Sequence, residues 1–121
     1  MTPFEIGTQL VSLLRAGKNT EAIEKLYAPD IVSVEAMAPP GGNPEQTGIA
    51  ACLAKSKHWR DINEIHAATA EGPFPHGDRF AVFLSYEITP RASGKRTTMR
   101  EVALYTVKHD KIVREEFFYQ M

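Results

Sequence analysis

The fold is clearest in residues 97–119, which read TTMREVALYTVKHDKIVREEFFY. Two runs of β-branched and aromatic residues, at about 95–107 and 111–119, lie on either side of the pair His109 and Asp110. Such runs are typical of β-strands, and so short a connection is typical of a tight hairpin. The stretch therefore predicts two long antiparallel strands joined by one turn.

Two further strand-like runs lie upstream, at about 62–71 and 79–89. Short segments rich in Pro and Gly follow them, at 72–78 and 90–94. Since parallel strands need connections of a dozen or more residues, the four runs predict an antiparallel meander. Their length also exceeds the common strand length, and long strands in a small sheet must twist and curve.

The predicted strands are apolar on both faces. Along the run at 79–89, Phe80 and Leu84 point one way, while Phe83 points the other way. Three helices can cover only one face of such a sheet, and an uncovered apolar face is typical of an interface. The sequence therefore predicts a homodimer formed through the outer face of the sheet.

The N-terminal half predicts three helices, because apolar residues recur there at helical spacing. The first begins with a capping box of Thr2 and Glu5, with Pro3 at the first helical position. Asn19 is expected to cap the second. The predicted helices cover about 3–17, 19–27 and 48–60, and a short strand covers 31–36.

Residues 38–48, APPGGNPEQTG, are expected to hold no regular structure because they are rich in Pro and Gly. A connection of this length is long for so small a domain. Loops of this kind often act as lids or binding loops.

Charge and composition exclude several classes of function. The chain has 14 basic and 15 acidic residues with no basic cluster, so nucleic acid is not an expected partner. Cys52 is the single cysteine and is predicted to be a small buried hydrophobe, since it can form neither an internal disulfide nor a metal-ligand pair. No metal-site spacing and no cofactor fingerprint is present, so no cofactor is expected.

The length of 121 residues predicts a single domain, 1–121. The N-terminus lacks the basic and apolar regions of a signal peptide. No stretch approaches the roughly 20 apolar residues that a membrane span needs. We therefore expect a cytoplasmic protein without a membrane partner.

The order of the predicted elements resembles the nuclear transport factor 2-like superfamily. The resemblance rests on three stretches, AGKNTEAIEKLYAPDIVSVEA (16–36), TGIAACLAKSKHW (47–59) and EVALYTVKHDKIVREEFFYQM (101–121). Within the superfamily the chain is similar to the SnoaL-like polyketide cyclase branch. The resemblance implies an α+β fold in which a cone-shaped, curved antiparallel sheet packs on three N-terminal helices, as in cystatin-like folds. It also implies a deep apolar pocket for a hydrophobic small molecule, and usually a homodimer.

The ketosteroid isomerases of the same superfamily offer a test of function. Their catalytic aspartate falls on Ala36, directly after Glu35. Their oxyanion-hole tyrosine and aspartic acid fall on Leu10 and Ala103. Aliphatic side chains can neither remove a proton nor donate a hydrogen bond to an enolate, so the sequence excludes a standard ketosteroid isomerase.

Glu101 is the first candidate for a catalytic group. It alternates with Ala103 and Tyr105, and the resemblance places Ala103 in the pocket, so Glu101 and Tyr105 are expected to face it too. Burial in an apolar cavity would raise the pKa of the Glu101 carboxyl and suit it to acid–base catalysis. The alternative is a structural glutamate paired with a nearby cation such as Arg96 or Lys111.

His66 is the second catalytic candidate, because an imidazole in an otherwise apolar strand could assist Glu101 or donate a hydrogen bond. The alternative is a half-buried side chain with a structural role only. The remaining candidates for lining the pocket share an aromatic ring or a carboxylate: Tyr27, Glu35, Trp59, Glu87, Phe117 and Tyr119. For each aromatic residue taken singly, packing in the core or at the dimer interface is the favoured alternative, and Glu35 and Glu87 could equally face water or the dimer partner. Glu115 and Glu116 are expected to be exposed or at an interface.

Three classes of function remain open at this point. The first is a cofactor-independent acid–base enzyme (an isomerase, cyclase or dehydratase) acting on a hydrophobic carbonyl compound. The second is a protein that binds a hydrophobic small molecule without catalysis. The third is an interaction protein that uses the fold as a dimeric scaffold.

Overall fold

The computed structural model describes residues 1–38 and 41–120. Over these residues the chain forms three helices and six strands. In chain order they are α1 (Pro3–Arg15), α2 (Asn19–Leu26), β1 (Tyr27–Val34), β2 (Glu45–Thr47), α3 (Ile49–Ile62), β3 (Asn63–His76), β4 (Arg79–Pro90), β5 (Thr97–Lys108) and β6 (Lys111–Phe118).

The starts of the first two helices differ in their chemistry. At α1 the Thr2 side chain accepts a hydrogen bond from the Glu5 amide, and the Glu5 carboxylate accepts one from the Thr2 amide. The predicted capping box is therefore confirmed. At α2 the cap prediction was wrong, because Lys18 occupies the cap position without a side-chain hydrogen bond and Asn19 is already helical.

The six strands form one sheet in the order β2-β1-β6-β5-β4-β3. Strands β3 to β6 pair antiparallel with their neighbours in sequence, so the predicted meander is confirmed. Strand β1 pairs with β6 in parallel, and β2 adds an antiparallel strand at the edge. This pairing brings the end of β1 next to the second half of β6.

The β5–β6 connection is the predicted tight hairpin. His109 and Asp110 have φ values of 52° and 62°. Positive φ at both central residues fits the turns whose twist matches that of paired strands.

The main differences from the prediction lie in β1, in β3 and in the loop after β1. Strand β1 covers Tyr27–Val34 instead of 31–36. Strand β3 continues through the Pro- and Gly-rich segment to His76, with a shift in its pairing with β4 between Glu71 and Phe74. A three-residue strand, β2, lies inside the loop expected to be irregular, because its backbone pairs with the edge of β1. Of the predicted loop at 38–48, residues 39–40 lie outside the described residues.

The core lies between the helices and the inner face of the sheet. Its largest fully buried side chains include Ile6 and Leu10 from α1, Leu26 from α2 and Phe80 from β4. On the outer face, Phe83, Val102 and Phe118 remain exposed. The assignment of the two faces from the alternation of residues is thus confirmed for β4.

Among the described residues, no helix combines the length and the apolar character that crossing a membrane requires.

Candidate functional site

Three glutamates and one lysine meet on the inner face of the sheet. They are Glu35 just beyond β1, Lys55 on α3, Glu101 on β5 and Glu115 on β6. We call these four residues the glutamate–lysine cluster. Carboxylates this close in a largely buried space repel one another, and such arrangements are typical of functional sites.

Glu115 lies at the buried end of the cluster and is 3% exposed. Its two oxygens accept hydrogen bonds from the Tyr27 hydroxyl and, at 2.7 Å, from the Ser33 hydroxyl. Burial raises the pKa of the Glu115 carboxyl, and the bonds from Ser33 and Tyr27 oppose this effect. The expectation of an exposed Glu115 was wrong, because strand alternation places it on the same face as Phe117.

Lys55 connects the buried and the open parts of the cluster. Its Nζ lies 2.7 Å from Glu35 Oε1 and donates a further hydrogen bond to Ser33 Oγ. It also lies 4.9 Å from the centre of the Phe117 ring, a distance typical of a cation–π contact. Sequence reasoning missed this residue, although Lys55 lies three positions after the buried Cys52 and hence near the same helix face.

The hydrogen bonds of the cluster have a defined direction. An ammonium group can only donate hydrogen bonds, so the Ser33 hydroxyl accepts one from Lys55 and donates one to Glu115. At the other end, the Tyr119 hydroxyl donates to Glu35 Oε2 at 2.9 Å. The result is one continuous chain of bonds that runs through Tyr27, Glu115, Ser33, Lys55, Glu35 and Tyr119.

Glu101 lies near this chain of hydrogen bonds but is not part of it. Its side chain is half-buried and makes no hydrogen bond or ion pair within residues 1–38 and 41–120. Burial raises the pKa of Glu101 to about 7, with a further increase from the charge of Glu35 and a decrease from the charge of Lys55. The alternative of a cation-paired glutamate is not observed: Arg96 pairs with Glu87 instead, at 3.0 Å.

A small cleft lies next to the cluster. Its volume is about 140 Å³, and it is bounded by the end of α1, by α3 and by β3 and β4. Trp59 and Tyr86 form an aromatic wall with ring centres 4.9 Å apart. Leu84 also lines the cleft and is the register partner of Glu101, so the two residues lie on adjacent strands whose backbones are about 4.8 Å apart. This cleft is smaller than the deep pocket that the resemblance implied.

Comparison with known proteins identifies the family of this chain. A family model of the SnoaL-like domain matches residues 1–119. The chain belongs to the SnoaL-like family. The superfamily resemblance seen in the sequence is thus confirmed. No curated protein matches this SnoaL-like chain.

Solved structures agree with this assignment. A Mesorhizobium loti protein, provisionally named a SnoaL-like polyketide cyclase with "carbohydrate phosphatase" in brackets, is 44% identical. The match covers 98% of this chain and 100% of that one, with a TM-score of 0.92. An NTF2-like protein of Burkholderia thailandensis is 19% identical over 99% and 92% of the two chains, with a TM-score of 0.85.

The fold is shared more widely. A Xanthomonas campestris protein with a cystatin-like fold is 16% identical over 100% of this chain and 92% of that one, with a TM-score of 0.78. The predicted α+β fold, a curved sheet packed on three helices, is therefore confirmed.

Two of the predicted site residues lie outside the cluster of this SnoaL-like protein. His66 is exposed, with Nε2 2.6 Å from Thr89 Oγ1. The pairing of β3 with β4 shifts between Ile65 and Ala67, and this bulge interrupts the alternation on which the His66 assignment rested. Glu87 is exposed and ion-paired. The structure therefore does not bring either residue to Glu101.

The other predicted residues lie in or near the cluster. Tyr27, Glu35 and Tyr119 belong to its chain of hydrogen bonds, and Phe117 lies under Lys55. Trp59 lines the neighbouring cleft. Tyr105 is buried and stacked on Phe80 with ring centres 5.1 Å apart, so it lies in the core; it is not among the residues that line the cleft.

Cys52 is buried, and its thiol lies 3.7 Å from Glu115 Oε2. Burial raises the pKa of the Cys52 thiol to about 12, and the charge of Glu115 raises it further. Since the thiolate is the nucleophilic form, this cysteine is unreactive near neutral pH.

Proposed function

We propose that this SnoaL-like protein is a cofactor-independent acid–base enzyme acting on a small hydrophobic carbonyl compound. Glu101 is the group that removes and returns the proton. The observation that carries the proposal is a half-buried carboxyl with no hydrogen-bond partner among the described residues and a pKa raised to about 7. An acid–base group is most effective when its pKa lies near the working pH.

The surroundings of Glu101 suit proton transfer at a carbon atom. Isomerisation, cyclisation and dehydration of carbonyl compounds each begin with removal of a proton beside the carbonyl group. A carboxylate that is partly desolvated is a stronger base than one in water. The provisional name of the 44% identical relative, a polyketide cyclase, belongs to the same class of chemistry.

The cleft limits the size of the substrate. Its volume of about 140 Å³ is close to that of an apolar cavity known to accept benzene, ~150 Å³. The walls formed by Trp59 and Tyr86 favour a flat, apolar body. We therefore propose a substrate with a single ring rather than a polycyclic one.

Exchange of hydrogen for deuterium tests this proposal without knowledge of the natural substrate. Cyclohexanone and 2-cyclohexenone are incubated with the protein in deuterated buffer, and loss of the α-proton signals is followed by NMR. The native protein should accelerate exchange. Glu101→Gln should reduce the acceleration about 100-fold or more, the usual contribution of a positioned base. Glu87→Gln, which also neutralises a glutamate on the same sheet, should retain it.

A second candidate is a binding protein without catalysis. The aromatic cleft favours it, because Glu101 is not among the residues that line the cleft. A ligand that binds the folded state raises the melting temperature. A ketone that raises the melting temperature equally in the native protein and in Glu101→Gln, without deuterium exchange in either, would support this second function over the first.

The outer face of the sheet supports a proposal about assembly. Phe83, Val102 and Phe118 are register partners on three adjacent strands, and they are 38%, 37% and 52% exposed. A contiguous apolar patch of this kind is typical of an interface. We propose that two copies of the chain pack through this face, the partner expected from the sequence.

A further inference from the structure

The Lys55 ammonium group has one hydrogen that the cluster does not use. Of its three hydrogens, one goes to Glu35 Oε1 and one to Ser33 Oγ. Within the described residues Nζ makes no third hydrogen bond, and the centre of the Phe117 ring lies 4.9 Å from it. The Lys55 side chain is 23% exposed, so an oxygen atom of a bound molecule can reach it.

Most other hydrogen-bond donors around the cluster already have an acceptor. The hydroxyl hydrogens of Tyr27 and Ser33 go to Glu115, and that of Tyr119 goes to Glu35. The Tyr86 hydroxyl, in the wall of the cleft, is the neutral alternative. Within the glutamate–lysine cluster, Lys55 is therefore the charged donor that still has a hydrogen available; Arg60, which lines the cleft, donates to Ser56.

Removal of a proton beside a carbonyl group creates an enolate, and its negative oxygen requires a donor. In the ketosteroid isomerases this donor is an oxyanion-hole residue. Here the matching positions hold Leu10 and Ala103, which are both aliphatic and buried in the core. We infer that Lys55 supplies this donor, as a catalytic residue that holds the carbonyl oxygen of the substrate while Glu101 removes the α-proton. This inference rests on the function proposed above.

The step balances without a further reactant. The Glu101 carboxylate takes the α-proton, and the electron pair of the broken C–H bond forms the C=C bond of the enolate. The negative charge moves to the carbonyl oxygen, which accepts a hydrogen bond from Lys55. The Glu101 acid then returns the proton, to the same carbon or to the carbon at the far end of a conjugated system. The reaction class is thus enolisation, and its product is an isomer.

The charges of the cluster support joint action of the two residues. The charge of Glu35 raises the pKa of Glu101 and that of Lys55 lowers it, so the three groups lie close enough for their charges to interact. Glu35 and Ser33 hold Lys55 from two sides, which fixes the position of the ammonium group before a substrate arrives. A donor that is fixed in advance stabilises a developing charge without reorganisation.

A stable anion tests the donor independently of turnover. The probe is 4-nitrophenol, whose anion resembles an enolate and absorbs visible light, titrated with protein near neutral pH. The native protein should bind the anion. Lys55→Gln should weaken this binding about 10- to 100-fold, the range expected for loss of a charge-assisted hydrogen bond. Lys57→Gln is the matched control, since Lys57 is 72% exposed and pairs with Asp61, and it should change binding less than about twofold.

Further variants keep the inference falsifiable. Lys55→Arg retains the charge and should bind the anion more tightly than Lys55→Gln, even if the Gln variant is destabilised. Unchanged affinity in folded Lys55→Gln, or loss of binding in Tyr86→Phe alone, would overturn the inference. So would absence of anion binding by the native protein. Failure of deuterium exchange with anion binding intact would overturn the proposed function and, with it, the catalytic role of Lys55, leaving an anion-binding lysine.

Discussion

Glu101 binds a proton more tightly in the folded chain than in the unfolded chain. Burial raises its pKa from 4.5 to about 7. Below pH 4.5 the carboxyl is mostly protonated in both states, so no buried charge at Glu101 destabilises the folded state. As the pH rises through about 7, the folded protein must ionise this half-buried group, and the stability that the neutral form allowed is lost.

We therefore predict that Glu101→Gln stabilises the protein at about pH 8 by roughly 1–3 kcal/mol, after allowance for the partial exposure of the group. At about pH 4.5 or below, the difference from the native protein should nearly vanish. Urea unfolding at the two pH values gives both free energies. Glu87→Gln, at an exposed site, should show no such dependence on pH, and an equal response of the two variants would contradict the pKa assigned to Glu101.

The candidate site was predictable only in part. Glu101 follows from alternation with Ala103, because the period of a strand is a local property. The same rule places Glu115 on the inner face of the sheet. Its neighbours Arg114 and Glu116 nevertheless favoured the interpretation that the Glu115 side chain is exposed. Lys55 was missed because its partners Glu35 and Ser33 come from a different element. Whether a lysine on a helix turns inward depends on the acceptors that the sheet places opposite it.

At the scale of elements, Gly7 decides how closely α1 approaches the sheet. A Cβ atom at this position would lie 2.7 Å from Pro73 Cβ, 2.9 Å from Pro73 Cγ and 3.1 Å from Phe80 Cδ2. The proline ring cannot rotate away, and Phe80 is fully buried. A side chain at Gly7 would therefore push α1 away from β3 and β4.

We predict that Gly7→Ala lowers the free energy of unfolding by about 1–3 kcal/mol, as overpacking usually does. Alanine is the better helix former by about 1 kcal/mol, so the net loss should lie at the lower end of that range. Denaturant unfolding measures the change. Thr8→Ala, the adjacent exposed position, is the control and should stay within about 0.5 kcal/mol. A stabilised Gly7→Ala variant would show that α1 can move without cost.

Local sequence patterns predicted some ends of helices and strands correctly and others not. The capping box of Thr2 and Glu5 and the turn at His109 and Asp110 involve only neighbouring residues, and both were predictable. Strand β2 was not, because its existence depends on the backbone of β1 across the loop. The continuation of β3 to His76 likewise depends on pairing with β4, which accommodates Pro and Gly through a shift in register.

At the scale of the whole molecule, the outer sheet face determines the proposed assembly. Phe83→Glu places a charge within the patch, and burying it in an interface would cost far more than leaving it in water. We predict that this variant is monomeric in sedimentation equilibrium at concentrations where the native protein is a dimer. Phe4→Glu is the matched control, since Phe4 is exposed on α1, away from this face. A native monomer, or a dimer unaffected by Phe83→Glu, would contradict the proposal.

The sequence by itself determined the three helices, the antiparallel meander, the two faces of β4 and the family. Those features depend on helix and strand periodicity, on turn chemistry and on short motifs, all of which act between residues close in the chain. Only the tertiary structure decided which polar groups meet. The parallel pairing of β1 with β6 brings Glu35 and Ser33 to Glu115, and α3 then places Lys55 between them. Such contacts depend on the strand order, on bulges such as the one near His66 and on burial, because the interactions that create them act through space rather than along the chain.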